Sequence, residues 1–196
     1  MNSESIIQDS VPQIRCGWVS DDLAYIHYHD HEWGVPLHDD DRLFEFLILE
    51  GFQAGLSWIT ILRKRENFRK AFDNFNALKI VKYDSKKIEE LMQNAGIIRN
   101  RLKITGTITN ARLFLEIQKE FGTFDKYIWQ FTEGQTIDNQ RNTHRDIPNS
   151  TAVSDAMSKD LKKRGFKFIG TTICYAFMQA TGMVNDHIIN CICYNR

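Results

Sequence analysis

Apolar positions along this chain recur every three or four residues, the spacing of one helical face. "DDDRLFEFLILEGF" opens on aspartates suited to an N-cap and first turn, then sets Leu43, Phe46 and Leu47 on one stripe. "SKKIEELMQNAG" repeats the pattern with Ile88, Leu91, Met92 and Ala95, and Gly96 reads as its C-terminal stop. "RLKITGTITNARLFLEI" aligns Ile104, Ile108, Ala111 and Leu115. "STAVSDAMSKDLKKRG" carries Ser and Thr at its start, Lys and Arg in its last turn and Gly165 just beyond, three helix-end cues together. "TTICYAFMQATG" is apolar nearly all round and predicts a central, buried helix. Sustained alternation, an Asn-Gly hairpin and internal repeats are all missing, so the pattern predicts a mostly α protein. Residues 132–150, polar and weakly periodic, predict a long loop with Pro148 just ahead of the next helix.

One position breaks the pattern. Continuing Leu43, Phe46, Leu47 by the same spacing reaches Glu50, which puts a carboxylate on the face that should be buried. Either the helix ends there and Glu50 escapes to solvent, or the carboxylate recognises a ligand, since a bare buried charge is costly. After it, "GFQAGLSW" bends at Gly51 and Gly55 and closes on Trp58.

Length and composition add bounds. At 196 residues, 42% hydrophobic and 26% charged, the chain is an ordinary folded protein of one large domain or two small lobes. No apolar run nears the roughly 18 residues that span a bilayer. Residues 1–14 are polar, lack the marks of a secretory signal and read as a loose leader. The net charge is zero, yet "RKRENFRK" (63–70), "RNRLK" (99–103) and "KKRGFK" (162–167) are basic, either as solvated helix faces or as a footprint for phosphates.

Candidate chemistry crowds into "CGWVSDDLAYIHYHDHEWG", residues 16–34. Cys16, His27, His29 and His31, with His38 nearby, face His187, Cys191 and Cys193 at the other end of the chain. Two cysteines and two histidines make a closed tetrahedral zinc shell, and His187 and Cys191 stand four apart, as on one helical turn. Spacing does not choose among these residues, and buried thiols with surface imidazoles remain the plainer alternative. Without a secretory signal the four cysteines belong in a reducing, cytoplasmic setting. Trp18, Tyr25, Tyr28 and Trp33 fit either a core or an aromatic pocket.

Taken together, "RCGWVSDDLAYIHYHDHEWGVP", "LEGFQAGLSWITILRKRENFRKAF", "NAGIIRNRLKI" and "LKKRGFKFIGTTICYAFMQATGMVNDHIINC" resemble, in order and over nearly all of residues 15–193, the bacterial 3-methyladenine DNA glycosylase I family. The resemblance implies an all-α helix-hairpin-helix glycosylase fold: one two-lobed domain over residues 15–196, with its hairpin near 91–103. It implies an enzyme that flips N3-methyladenine out of double-stranded alkylated DNA and hydrolyses the glycosidic bond, releasing free 3-methyladenine, as a monomer and away from membranes. It implies one structural zinc per chain, joining the two chain ends on Cys16, His29, His187 and Cys191. It places Trp18, Tyr25, Tyr28, Trp33, Glu50 and Trp58 in the base pocket, with Glu50 as the candidate catalytic group. It places Gln53, Ala54, Gly55 and Leu56 in a DNA-probing loop, and Gly96, Arg99 and Arg101 at the hairpin.

Chemistry agrees with these roles. Alkylation at N3 makes the base a cation and a good leaving group, so recognition matters more than a strong general acid. On this expectation Trp58 and Tyr28 sandwich the cation, at about 0.5–2 kcal/mol per good cation–π contact, and Glu50 accepts its hydrogen bonds. Backbone N–H groups at the hairpin hold a phosphate, with Arg99, Arg101 and Lys103 supplying charge. Leu56 is an apolar wedge for the gap a flipped base leaves. A zinc with four protein ligands has no open position and is structural. The family's usual pattern lacks Phe52, His27 and His31, and no catalytic aspartate stands past the hairpin. Two other readings compete: a non-catalytic, zinc-stabilised DNA-binding module and a zinc hydrolase.

Overall fold

A computed structural model describes residues 14–195. The leader read at 1–14 therefore lies outside the described residues except for Ile14. Nine α-helices occur among the described residues: α1 (Leu23–His31), α2 (Asp40–Gln53), α3 (Trp58–Ala71), α4 (Ala77–Ile80), α5 (Ser85–Gln93), α6 (Arg101–Phe121), α7 (Phe124–Trp129), α8 (Ala152–Arg164) and α9 (Thr171–Ala180). Two two-residue strands, β1 (Ile137–Asp138) and β2 (Val184–Asn185), pair in parallel through Ile137 with Val184 and Asp138 with Asn185.

α2 is the axis of the fold. The Asp39 side chain caps it by accepting from the Arg42 N–H at 2.9 Å, and Asp40 and Asp41 complement its dipole. Residues 43–52 are all buried, because α3, α6, α7 and α9 pack around them. The pattern promised one buried stripe, and tertiary packing enclosed every side of the helix from Leu43 to Phe52. α9, expected at the centre, buries Cys174, Tyr175, Phe177, Met178 and Ala180, while Thr172, Ala176 and Gln179 turn towards a cavity.

The helix ends follow the sequence cues with one exception. α8 starts in a capping box between Thr151 and Ser154 and stops at Gly165, whose φ of 101° is left-handed. α6 buries Ile104, Thr107, Ala111 and Phe114, whereas Ile108 and Leu115 are half-buried, so its inner face is rotated about one position from the predicted stripe. Gly96 does not end α5. That helix stops at Gln93, and the Asn94 side chain accepts from the Gly96 N–H at 2.8 Å, opening the turn into α6. Glycine is needed there for closeness: a Cβ would stand 2.9 Å from Asn94 Oδ1 and 3.2 Å from Asn67. Lys64 of α3 donates to the Ala95 carbonyl at 3.1 Å and holds this hairpin turn.

Candidate functional site

α1 is short and serves two neighbouring sites. The Asp22 side chain caps it, accepting from the Ala24 and Tyr25 N–H groups. Tyr28, His29 and Asp30 are buried, whereas His27 and His31 are exposed and stack on each other at 4.6 Å. Helical geometry thus settles what spacing left open. Of the crowded imidazoles only His29 turns inward towards the chain's other end. His38 pairs instead with Asp125 at 2.7 Å.

There Cys16, His29, His187 and Cys191 bring their ligand atoms within 4.8 Å of one another, all buried. Cys16 Sγ lies 3.5 Å from His187 Nδ1, and Cys191 Sγ lies 3.5 Å from both His187 Nδ1 and His29 Nε2. A tetrahedral zinc with its usual bond lengths separates sulfur and nitrogen ligands by about 3.5 Å, so the donor set and spacing fit that ion. The outer ring nitrogens are anchored as metal-bound histidines require. His29 Nδ1 donates to Asp30 Oδ1 at 2.7 Å and His187 Nε2 to the Trp33 carbonyl at 3.1 Å. Arg15 in turn grips Asp30 at 2.7 Å and holds its carboxyl well below the usual range. The two cysteines outside this four-residue cluster are both buried. Cys193 lies 3.8 Å from His29 Nδ1, and Cys174 sits against the Ile169 carbonyl.

The same inward side of α1, through Tyr25 and Tyr28, joins a cavity of about 300 Å³. Trp18, Tyr25, Tyr28, Trp33 and Trp58 line it, with Glu50 and Gln53 from the last turns of α2. All six residues assigned to a base pocket therefore come together. The rings form one continuous wall: Trp18 lies 5.0 Å from both Tyr25 and Trp33, and Tyr28 lies 5.3 Å from Trp58. That last distance corrects an expectation. Tyr28 and Trp58 touch at 46°, and a ring inserted between them would need about 7 Å, two stacking contacts. They are one wall, not a sandwich.

Facing them is a wall that sequence reasoning missed: His144, Ile147, Pro148 and Asn149 of the long polar segment, and Thr172, Tyr175, Ala176 and Gln179 of α9. A signal for α9 was present, since Thr172, Ala176 and Gln179 make a small, polar stripe on an apolar helix. The loop residues had no periodicity to read. Asp186, wholly buried beside His187, accepts from Tyr175 at 2.6 Å, Gln179 at 2.7 Å and Arg141 at 2.9 Å, so the α9 part of this wall is tied to the chain next to the Cys/His cluster.

Glu50 is 3% exposed, its Oε2 has no hydrogen-bond partner, and burial pushes its carboxyl up to about 8. The alternative in which α2 ends early and Glu50 reaches solvent therefore fails. Among the described residues the Trp58 Nε1–H is the other buried side-chain polar group without a partner. Two such orphans in one cavity are uncommon, because buried polar groups are normally satisfied.

Next to the cavity-lining Gln53, which ends α2, Gly55 takes a left-handed φ of 84° and Leu56 stands 40% exposed. Gly96 lies in the α5–α6 turn and Arg99 is exposed. Arg101 is exposed but engaged with Glu89 at 2.7 Å. Lys103 departs from its expected place beside a phosphate. It is buried, because its ammonium points back to the end of α2.

A ring-walled cavity with one buried carboxyl, in a helical protein that also carries a two-helix hairpin, has the shape and lining to take a flat heteroaromatic ring. Comparison with known proteins narrows the class. The methyladenine glycosylase profile matches residues 18–194. DNA-3-methyladenine glycosylase 1 of Escherichia coli K12 is 54% identical over 180 residues, 92% of this chain and 96% of that protein. The DNA-3-methyladenine glycosylase of Haemophilus influenzae is 49% identical over 179 residues, 91% of this chain and 97% of its own length. A Staphylococcus aureus 3-methyladenine DNA glycosylase I, solved to show the structural basis of 3-methyladenine recognition, aligns with a TM-score of 0.90 at 35% identity, covering 93% of this chain and 97% of that one. The chain belongs to the methyladenine glycosylase family.

Proposed function

We propose that this protein is a DNA glycosylase that excises 3-methyladenine from alkylated duplex DNA and releases the free base. The observation that carries the reading is the pair of unpartnered groups, Glu50 Oε2 and Trp58 Nε1, in one purine-sized cavity. A base with both donors and acceptors on its edge satisfies them together.

Methylation at N3 leaves the purine positively charged. Breaking the C1′–N9 bond returns its electron pair to the purine, which departs neutral. The positive charge passes to the sugar as an oxocarbenium ion, and water adds at C1′ and loses a proton. With so good a leaving group, the protein's work is extraction, selection and holding. The aromatic wall of Trp18, Tyr25, Tyr28, Trp33 and Trp58 favours a cationic ring over neutral adenine by about 0.5–2 kcal/mol per contact. The incoming cation draws the proton off Glu50, and the carboxylate then accepts from the base. Neutral adenine offers no such charge and leaves a buried acid unpaired.

In the same reading Leu56, lifted by Gln53 and Gly55, fills the gap in the stack, while the Gly96 turn with Arg99 and Arg101 holds the backbone. Residues 15–196 act as one two-lobed unit and as a monomer. Zinc is the ion we assign to Cys16, His29, His187 and Cys191; four protein ligands make its contribution a crosslink between chain ends. Among the described residues no helix is long and apolar enough to cross a membrane, and Cys16, Cys174 and Cys191 form no disulfide, which suits a reducing cytoplasm.

The deciding experiment incubates pure protein with methylated duplex DNA and measures free 3-methyladenine. Release at a rate proportional to enzyme supports the reading. DNA binding without release makes the protein a non-catalytic module and overturns it.

A further inference from the structure

Lys103 stands on the unfavourable end of its own helix. It lies in the first turn of α6, where the helix dipole disfavours a cation, and the Asn100 side chain already caps that turn by accepting from the Lys103 N–H at 3.1 Å. Only 9% of it is exposed, and among the described residues it makes no ion pair. Its ammonium donates instead to two neutral partners, the Phe52 carbonyl at 2.8 Å and the Ala54 carbonyl at 2.7 Å. These are terminal carbonyls of α2, which lack helical donors of their own. The Gln53 carbonyl between them takes the Leu56 N–H at 2.6 Å. One ammonium and one turn hydrogen bond therefore hold the chain that carries Gln53 into the cavity and Leu56 out of it.

The two segments joined in this way are those to which the proposed function gives different tasks. Lys103 follows the hairpin turn at residues 94–100 by three positions, and the loop at 53–56 borders the cavity. We propose that Lys103 is a positioning residue that locks the Leu56 loop in register with the hairpin, so that gripping the DNA backbone and wedging the stack occur as one event. This inference rests on the glycosylase reading, in which Leu56 enters duplex DNA. Helix C-termini are usually closed locally by a glycine or asparagine turn or by a cation of the same helix; here the cation is buried and comes from a different helix.

The test compares wild type, Lys103→Met, Lys103→Arg, Leu56→Ala and the Lys103→Met/Leu56→Ala double variant. Each is assayed for kcat/KM on methylated duplex, for affinity towards free 3-methyladenine, and for Tm. Lys103→Met is expected to lose about tenfold or more in kcat/KM on duplex while free-base affinity stays within about twofold. The double variant is then no worse than the poorer single variant, because both changes disable one device. Lys103→Arg, which can bond the same two carbonyls, recovers most of the loss. If Lys103→Met does not fold, Lys103→Gln, keeping one donor, must show the same pattern in smaller measure. Free-base affinity falling in step with duplex excision, or losses that multiply in the double variant, would show a merely structural lysine and overturn the proposal. Failure of wild type itself to release base would instead refute the underlying glycosylase reading.

Discussion

Glu50→Gln replaces the carboxyl that lines the cavity with an amide of nearly the same shape. The folded protein raises the Glu50 pKa from 4.5 to about 8. Between those values the folded state holds a proton that the unfolded chain has lost, so the wild type loses stability as pH rises through that window and levels off above about 8. The slope approaches about 1.36 kcal/mol per pH unit. At about pH 7.5 the penalty is roughly 4 kcal/mol and at about pH 5.5 roughly 1.4, a difference of about 2.5 kcal/mol. No solvent discount applies, because Glu50 is 3% exposed. For a protein of this size that is about 5–10 °C in Tm. The amide cannot ionise, so the variant gains on wild type by that amount between the two pH values. Calorimetry of both proteins checks this, since contributions of other titrating groups cancel in the difference. Parallel Tm profiles would mean that Glu50 titrates as a solvated acid, and the desolvated base-recognition site would be refuted. Activity supplies the counterpart: kcat/KM on methylated duplex climbs towards about pH 8 in wild type, as the carboxylate forms, and loses that limb in the variant.

Gly34→Ala places a Cβ 2.9 Å from His187 Nε2 at a backbone φ of 77°. About 1–2 kcal/mol of left-handed strain follows, together with a displaced metal ligand, so both Tm and bound metal decline. Gly17→Ala, with nothing within 4 Å of its Cβ, is the neutral control and changes stability by less than about 0.5 kcal/mol; equal effects at both sites would remove the His187 argument. Leu56→Ala trims a 40% exposed side chain. Tm should stay within about 2 °C, in line with a surface substitution, while duplex excision falls roughly tenfold; unchanged excision would end the wedge role.

Glu50 was legible because helical period is a local property: the spacing of Leu43, Phe46 and Leu47 continues through it, and α2 does run on to Gln53. The choice of His29 was half legible. Once residues 23–31 are helical, Tyr25, Tyr28 and His29 share a side that His27 and His31 do not, but spacing had no sight of Cys16 or of the far end of the chain. The loop wall of His144, Ile147, Pro148 and Asn149 was invisible, since its place is fixed by long-range contacts and not by periodicity. Lys103 was misread for a related reason. In sequence it sits in a basic run beside a hairpin, and only the packing of α6 against α2 shows that its charge faces carbonyls. Pairwise geometry between rings, such as the contact of Tyr28 with Trp58, lies beyond any one-dimensional pattern.

The Cys/His cluster and the ring-walled cavity share α1, and this makes metal removal the sharpest test of the proposed site. A nine-residue helix is marginal by itself, yet this one carries Tyr25 and Tyr28 to the cavity and His29 to the shell from neighbouring positions. On the opposite side Asp186, next to His187, holds Tyr175 and Gln179 of the second wall. Part of each wall thus neighbours the same Cys/His cluster, while Glu50 belongs to α2, which is buried throughout residues 43–52. Chelation, or Cys191→Ala, should therefore remove about one zinc per chain and lower free 3-methyladenine affinity at temperatures where circular dichroism still reports a folded helical protein. Tryptophan fluorescence should shift in the same step, because Trp18 and Trp33 pack against the His29 ring. A metal-free protein that stays folded and binds 3-methyladenine as before would show that the clasp closes the chain ends without setting the pocket.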